Sequence, residues 1–151
     1  MKKYGYDMPV GKIWIGEDNG KIVYIKFSDT NGENIETPLI HKTYLQLKEY
    51  FEGKRKFFDI PLQIQGTPFQ IKVWEALRRI SYGQVVSYKD IACEIGNPKA
   101  ARAVGMANNK NKIIILVPCH RVIGSNGSLT GYAEGLDVKK YLLELEARYS
   151  K

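Results

Sequence analysis

The stretch IIILVPCHRVIG, residues 113–124 of a 151-residue chain, sets a cysteine, a histidine and an arginine side by side behind an apolar run. Cys119 and His120 are the two that do chemistry near neutral pH. An ordinary thiol titrates at about 8.5, so only a few per cent is thiolate at pH 7, and a histidine base raises that fraction directly or through a water. A nucleophile of this kind needs a third group to orient the imidazole. Glu144 and Glu146, in LDVKKYLLELEARYS, are the carboxylate candidates. Neighbouring side chains in an extended segment point to opposite faces, so Cys119 and His120 cooperate only across a water or a sharp turn, and Pro118 supplies a bend. The competing explanation is that Cys119 is a small apolar residue buried behind five others. Cys93, on the apolar side of a predicted helix, reads as structural.

The elements that must position these groups follow from periodicity. KIWIGEDNGKIVYIKF is two β-rich runs around Asp18-Asn19-Gly20, a hairpin with an Asn-Gly turn. In PLIHKTYLQLKEYFEGK, Leu39, Tyr44, Leu47, Tyr50 and Phe51 recur at near-helical spacing, with Gly53 as the stop. Next, Thr67 caps a helix with Pro68 at its first position; Phe69, Val73, Leu77 and Ile80 form its apolar stripe, and Trp74 joins the core. In SYKDIACEIGNPKAARAVGMANNKN, Ser87 with Asp90 resembles a capping box, Ile91, Ala92 and Ile95 make an apolar face and Gly96 ends the helix. Asn97 caps a second helix starting at Pro98. Helix, tight turn, helix is the outline of a DNA-binding helix-turn-helix, or of an ordinary helical hairpin. The small residues Ala100, Ala101, Ala103, Gly105 and Ala107 suit close approach to a backbone or a narrow groove. Arg102 stands among them as a lone cation able to meet a phosphate or fill the space of a displaced base. A terminal amphipathic helix carries Leu136, Tyr141, Leu142 and Leu145. The fold class is α+β: a small N-terminal hairpin-and-sheet domain with a helix over 1–62, then a mostly helical domain with a helix-turn-helix over 63–151.

Composition narrows the function. The formal charge of +7 and pI near 9.3 favour an anionic partner, nucleic acid before membrane. Apolar residues at 44% support a packed core. Two cysteines and two histidines, His41 and His120, make neither a disulfide framework nor the paired spacings of a zinc site. No signal sequence, bilayer-length apolar run or phosphate loop is present, which leads to the expectation of a cytoplasmic, reducing setting.

PCHRV followed by GSNGSLTGYAEGL, with GTPFQIKVW, SYKDIA and GNPKAARAVG upstream in that order, resembles the O6-alkylguanine-DNA alkyltransferases, the methylated-DNA–protein-cysteine methyltransferases of direct repair. The match runs from about Gly66 to Glu146. The resemblance implies that Cys119 takes the alkyl group from guanine O6, irreversibly and once per molecule, with His120 assisting through a water. Glu146, twenty-seven positions after the cysteine, is then preferred to Glu144 as the relay carboxylate. Asn111 would brace the active-site turn, Tyr88 would protonate the base, and Arg102 would intercalate where the base was. Tyr132, Val122, Ala133 and Pro118 would line the pocket. Lys89, Asn97, Ala101, Gly105 and Ser125, with Tyr88, would contact DNA, the second helix lying in the minor groove. The implied partner is double-stranded DNA containing O6-alkylguanine, with O4-alkylthymine a poorer substrate. The protein would be a monomer, with cooperative binding left open, and would need no cofactor, metal or membrane. Three features depart from the family pattern: Glu134 where many relatives have glycine, Ala133 lacking a hydroxyl that some offer to O6, and no ligands for the zinc some carry. Rival functions are a non-catalytic lesion binder, a helix-turn-helix regulator and a thiol hydrolase. The first usually replaces the cysteine, which is intact here.

Overall fold

The computed structural model describes residues 1–129, 132 and 134–150 and divides into two compact units, Met1–Ile64 and Gln65–Lys151. Among the described residues no helix is long and apolar enough to cross a membrane.

In the first unit the predicted hairpin is β2 (Gly11–Asp18) and β3 (Lys21–Lys26). Asn19 and Gly20 both take positive φ, 51° and 75°, as an Asn-Gly hairpin turn requires. Two further strands, β1 (Lys2–Met8) and β4 (Glu33–Asn34), complete a sheet of order β3-β2-β1-β4, with β4 parallel to β1. KKYGYDM contains no β-branched residue and a central glycine, so propensity alone hides β1. Gly5 is there for space: it pairs with Trp14, and a Cβ would sit 3.0 Å from the indole and 2.8 Å from the Lys12 stem. Gly16 is tighter still, with a Cβ meeting the Tyr24 ring at 2.2 Å. Gly16→Ala is expected to displace the ring and cost about 1–3 kcal/mol through overpacking, read as a lower Tm.

One face of the sheet is covered by α1 (Pro38–Phe51), whose N-cap Thr37 accepts from the Ile40 N–H at 3.0 Å and which ends at Gly53, φ 77°. Its buried residues are Ile40, Thr43, Gln46, Leu47, Tyr50 and Phe51, so Ile40 and Thr43 take the places expected for Leu39 and Tyr44. Tyr44 instead stacks on Tyr6, ring centroids 4.1 Å apart.

The second unit opens with α2 (Pro68–Leu77), closed at its start by a full capping box: Gln70 N–H to Thr67 Oγ1, and Thr67 N–H to Gln70 Oε1. Ser87 and Asp90 form the second box, at the start of α3 (Tyr88–Glu94). Cys93 is exposed, not on the apolar side, because only Ile91 and Ala92 of this short helix are buried. The next helix, α4 (Ala101–Asn109), starts three residues later than expected, and Asn97 does not cap it. The cause is the end of α3. Gly96 is left-handed (φ 82°), its N–H bonds the Cys93 carbonyl, and the Asn97 N–H bonds the Ala92 carbonyl. Asn97 is thus consumed in closing the preceding helix by a Schellman pattern. The Trp74 indole N–H, donating to the Ala107 carbonyl at 2.9 Å, ties α2 to α4. Two short parallel strands, β5 (Val86–Ser87) and β6 (Val122–Ile123), join the start of α3 to the segment after the cysteine. The terminal helix α5 (Leu136–Tyr149) buries Lys139, Leu142, Leu145 and Glu146, while Leu136 and Tyr141 face solvent. The stripe is therefore half apolar and half charged, which an apolar count misreads.

Candidate active site

The apolar run before the cysteine is fully buried yet is not a strand. Asn111 folds it back on itself. Its Oδ1 accepts from the Ile113 N–H (3.0 Å) and its Nδ2 donates to the Val117 carbonyl (2.8 Å). Within that bracket the chain makes a tight turn centred on Ile115, with Leu116 N–H to Ile114 carbonyl at 2.8 Å and φ +71° at Ile115. Positive φ is unusual for a β-branched residue and is held here by its surroundings. Pro118 (φ −80°, ψ 65°) then bends the chain so that the Cys119 N–H reaches the Val117 carbonyl, and Cys119–Arg121 form one 3₁₀ turn. The sharp turn expected at Pro118 is therefore present. Asn108, buried on α4, donates its Nδ2 to the Cys119 carbonyl at 3.2 Å.

Cys119 is 4% exposed. Burial pushes its thiol up to about 11, while a hydrogen bond with Asn111 and the positive charge of Lys139 pull the other way. His120 is wholly buried, and its Nε2 lies 2.7 Å from Glu146 Oε2. That contact assigns the imidazole proton to Nε2 and leaves Nδ1 as an acceptor, buried and without a protein partner among the described residues. Burial holds the imidazole below its ordinary pKa even though Glu146 opposes the shift. Glu146 is itself saturated. Arg121 Nε donates to Oε1 (2.8 Å), Arg121 Nη2 to Oε2 (3.0 Å) and the Gly83 N–H to Oε1 (3.2 Å). Burial would raise this carboxyl, but the hydrogen bonds and charges of His120 and Arg121 outweigh it and hold it far below the usual carboxylate range. Glu144, the other sequence candidate, is exposed and lies 4.0 Å from Lys140.

Around the thiol stand Tyr132, 7% exposed, and Lys139, wholly buried, whose ammonium donates to the Val122 carbonyl. Burial lowers Lys139 to about 8 against the opposing influence of Cys119. The Lys139 Nζ also sits 5.9 Å from the Tyr88 ring centroid, so Tyr88, first residue of α3, reaches the edge of this cluster. On its other side the Tyr88 ring lies 3.8 Å from where a Gly105 Cβ would be. Glu134 is half-buried, and its charge acts on both Cys119 and Tyr132. Ala133 lies outside the described residues.

The residues expected to meet DNA are distributed differently. Arg102, Lys89, Asn97 and Ser125 are exposed, and Ala101 and Gly105 half-buried, so none of the first four joins the buried cluster. Three members of that cluster escaped sequence reading: Lys139, Asn108 and the bidentate role of Arg121. Lys139 had a signal, since it sits three residues before Leu142 on the helix's inner stripe. Asn108 had none.

A buried, hydrogen-bonded thiol thus stands beside a histidine–carboxylate pair, in the same unit as the α3–α4 helix pair. The chain is similar to known proteins over nearly its whole length. The DNA-binding domain model of 6-O-methylguanine DNA methyltransferase matches residues 68–148, and the ribonuclease-like domain model of the same proteins matches residues 1–64. A methylated-DNA–protein-cysteine methyltransferase of Methanosarcina acetivorans is 48% identical, over 93% of this chain and 95% of that one. The constitutive enzyme of that name in Bacillus subtilis is 47% identical, over 93% and 92%. The crystal structure of Mycobacterium tuberculosis OGT in complex with DNA superposes with a TM-score of 0.92 at 39% identity, covering 99% of this chain and 94% of that one. The chain belongs to the 6-O-methylguanine DNA methyltransferase family, whose members are methylated-DNA–protein-cysteine methyltransferases.

Proposed function

We propose that this protein binds duplex DNA, rotates an O6-alkylguanine out of the stack and transfers the alkyl group to Cys119 Sγ, each molecule reacting once. The observation that carries the reading is the pairing on one 3₁₀ turn of a buried thiol with a histidine whose Nε2 is committed to Glu146 and whose Nδ1 is an open acceptor.

With burial pushing the thiol up to about 11, very little of it is thiolate at pH 7. Proton removal is therefore part of the reaction. The Cys119 proton passes through a water to His120 Nδ1, and Asn111 and Lys139 stabilise the sulfur anion. The thiolate attacks the alkyl carbon, the S–C bond forms as the C–O6 bond breaks, and Tyr88 gives a proton to the guanine ring so that a neutral base leaves. The proton on His120 returns by solvent to the tyrosinate, and charge balances. The product is a thioether, which cellular thiols do not reduce, so the protein is consumed. Neither a cofactor nor a metal enters this sequence. O4-alkylthymine, with the same alkyl–oxygen bond, would be a slower substrate.

DNA binding has its own support. Residues 65–151 carry 13 lysines and arginines against 7 acidic residues, while residues 1–64 carry 10 against 9. The basic excess is thus concentrated in the unit that holds the helix-turn-helix, where it would neutralise phosphates. In our reading α4 lies in the minor groove, its alanines allowing close approach, and Lys89, Asn97, Ala101, Gly105 and Ser125 contact the backbone. Extruding a base costs a few kcal/mol, and Arg102 offsets part of it by filling the gap. Arg102→Ala is expected to slow repair of duplex DNA about tenfold or more, and to leave reaction with free O6-benzylguanine within about twofold, since the free base needs no extrusion. Parallel rate measurements on the two substrates check this; equal losses would remove the intercalating role. The function as a whole is tested by titrating the protein with excess O6-methylguanine duplex. Guanine restored should equal protein supplied, and continued turnover would reject the reading.

A further inference from the structure

We propose that Arg121 is a positioning residue that keeps His120 in its neutral, proton-accepting form by occupying the charge of Glu146; this deepens the alkyl-transfer reading above and rests on it. The geometry is a three-way clamp. Arg121 Nε and Nη2 take both oxygens of the Glu146 carboxylate, and Nη1 donates to the Ile80 carbonyl at 2.7 Å. The guanidinium is pinned between α5, the 3₁₀ turn and the segment after α2, and its Cζ lies 5.7 Å from the Tyr82 ring centroid. His120 shares Glu146 Oε2 with it.

The charged and titratable groups facing His120 can be named element by element. From α5 come Glu146 and Lys139, from its own turn Cys119 and Arg121, and from the segment after α2 comes Tyr82, which acts through Glu146 and Arg121. Of these only Glu146 favours an imidazolium. Arg121 is always charged, so the buried Glu146–Arg121 pair is already neutral, and a proton on His120 would add an unpaired charge beside a second buried cation, Lys139. With Arg121 replaced by a neutral side chain, Glu146 would be left as a buried anion whose nearest remaining proton donor is His120. The cheapest compensation is then an imidazolium–carboxylate pair. Protonation fills Nδ1, the atom that must accept the Cys119 proton. The outcome is a reaction that fails at the acid side of neutrality, with every catalytic group still in place.

The test is an NMR titration of the His120 ring nitrogens in the unreacted protein. In the wild-type protein His120 should titrate below the ordinary histidine range, because burial disfavours its charged form. In Arg121→Gln its midpoint should rise by about one unit or more. In Arg121→Lys, where a single ammonium cannot span both oxygens and the Ile80 carbonyl, it should rise by a smaller amount in the same direction. Single-turnover transfer from O6-methylguanine duplex should then fall about tenfold or more between pH 8 and pH 6 in Arg121→Gln, beyond any fall in the wild type. The lysine variant, closer in shape and charge, carries the test if the glutamine variant does not fold. A His120 midpoint that stays at the wild-type position in either folded variant overturns the proposal. The titration needs no repair activity, so a wild-type protein that fails to transfer alkyl groups would end the repair reading and leave the coupling of Arg121 to His120 measurable by itself.

Discussion

Cys119→Ser is expected to abolish alkyl transfer, with a loss of at least about 10³-fold, while binding to O6-methylguanine duplex is retained. The substitution changes one atom and little volume, so the turn held by Asn111 and Asn108 should survive it. What changes is ionisation. This site already pushes a thiol up to about 11, and a serine hydroxyl starts several units above a thiol. Asn111, Lys139 and a water-linked His120 cannot make up that difference, and an un-ionised hydroxyl is a poor nucleophile toward an alkyl carbon. A single-turnover assay beside a DNA-binding measurement checks both halves. Cys93, exposed on α3, is the built-in control: residual transfer to it would show as an adduct on a different peptide.

The second large effect falls on stability. Glu146→Ala leaves the Arg121 guanidinium buried without its carboxylate, frees the Gly83 N–H and opens a void under α5. Removing one partner of a buried ion pair typically costs about 3–5 kcal/mol, a fall in Tm of roughly 10–20 °C. Glu144→Ala, on the exposed side of the same helix, should change stability by no more than about 0.5 kcal/mol. The pH dependence has a definite sign. The native Glu146 carboxyl is held below its unfolded value of about 4.3, so its contribution is complete above that pH and lost as pH falls toward the native value. The stability difference between the wild type and Glu146→Gln should therefore narrow below about pH 4. Thermal unfolding of the three variants across pH 3–8 checks it.

Which of these features could be read in advance depended on whether a local rule governed them. The Ser87–Asp90 capping box, the Thr67 cap, the Asn-Gly hairpin and the glycine stops at Gly53 and Gly96 are local devices made by the residues expected, while Gln70 adds a second capping box that was not anticipated. Strand β1 was hidden because its partner, not its own propensity, makes it a strand. The start of α4 was misplaced because Asn97 serves the helix before it, a competition that a capping rule applied to one helix does not register. The structure brings Cys119, His120, Asn111 and Glu146 together; residue type singled out the first two, and the resemblance supplied Asn111 and the choice of Glu146 over Glu144. The helical phase of α5 explains why 146 and not 144 turns inward. Lys139 drew no expectation because buried lysines are rare, and its position on the inner stripe of α5 was the signal available. The Ile113–Val117 run could be read as buried but not as a series of turns, since its path is dictated by Asn111 bracketing it from outside.

The central claim is that one sulfur, Cys119 Sγ, accepts the alkyl group and keeps it. The most direct measurement is intact-mass and peptide-resolved mass spectrometry after incubation with excess O6-methylguanine duplex. The account predicts a single methyl in place of the thiol hydrogen, on the peptide containing Cys119, at one per molecule and stable to reductant. An unmodified Cys119 with guanine restored, or a methyl carried by any other residue, would contradict it.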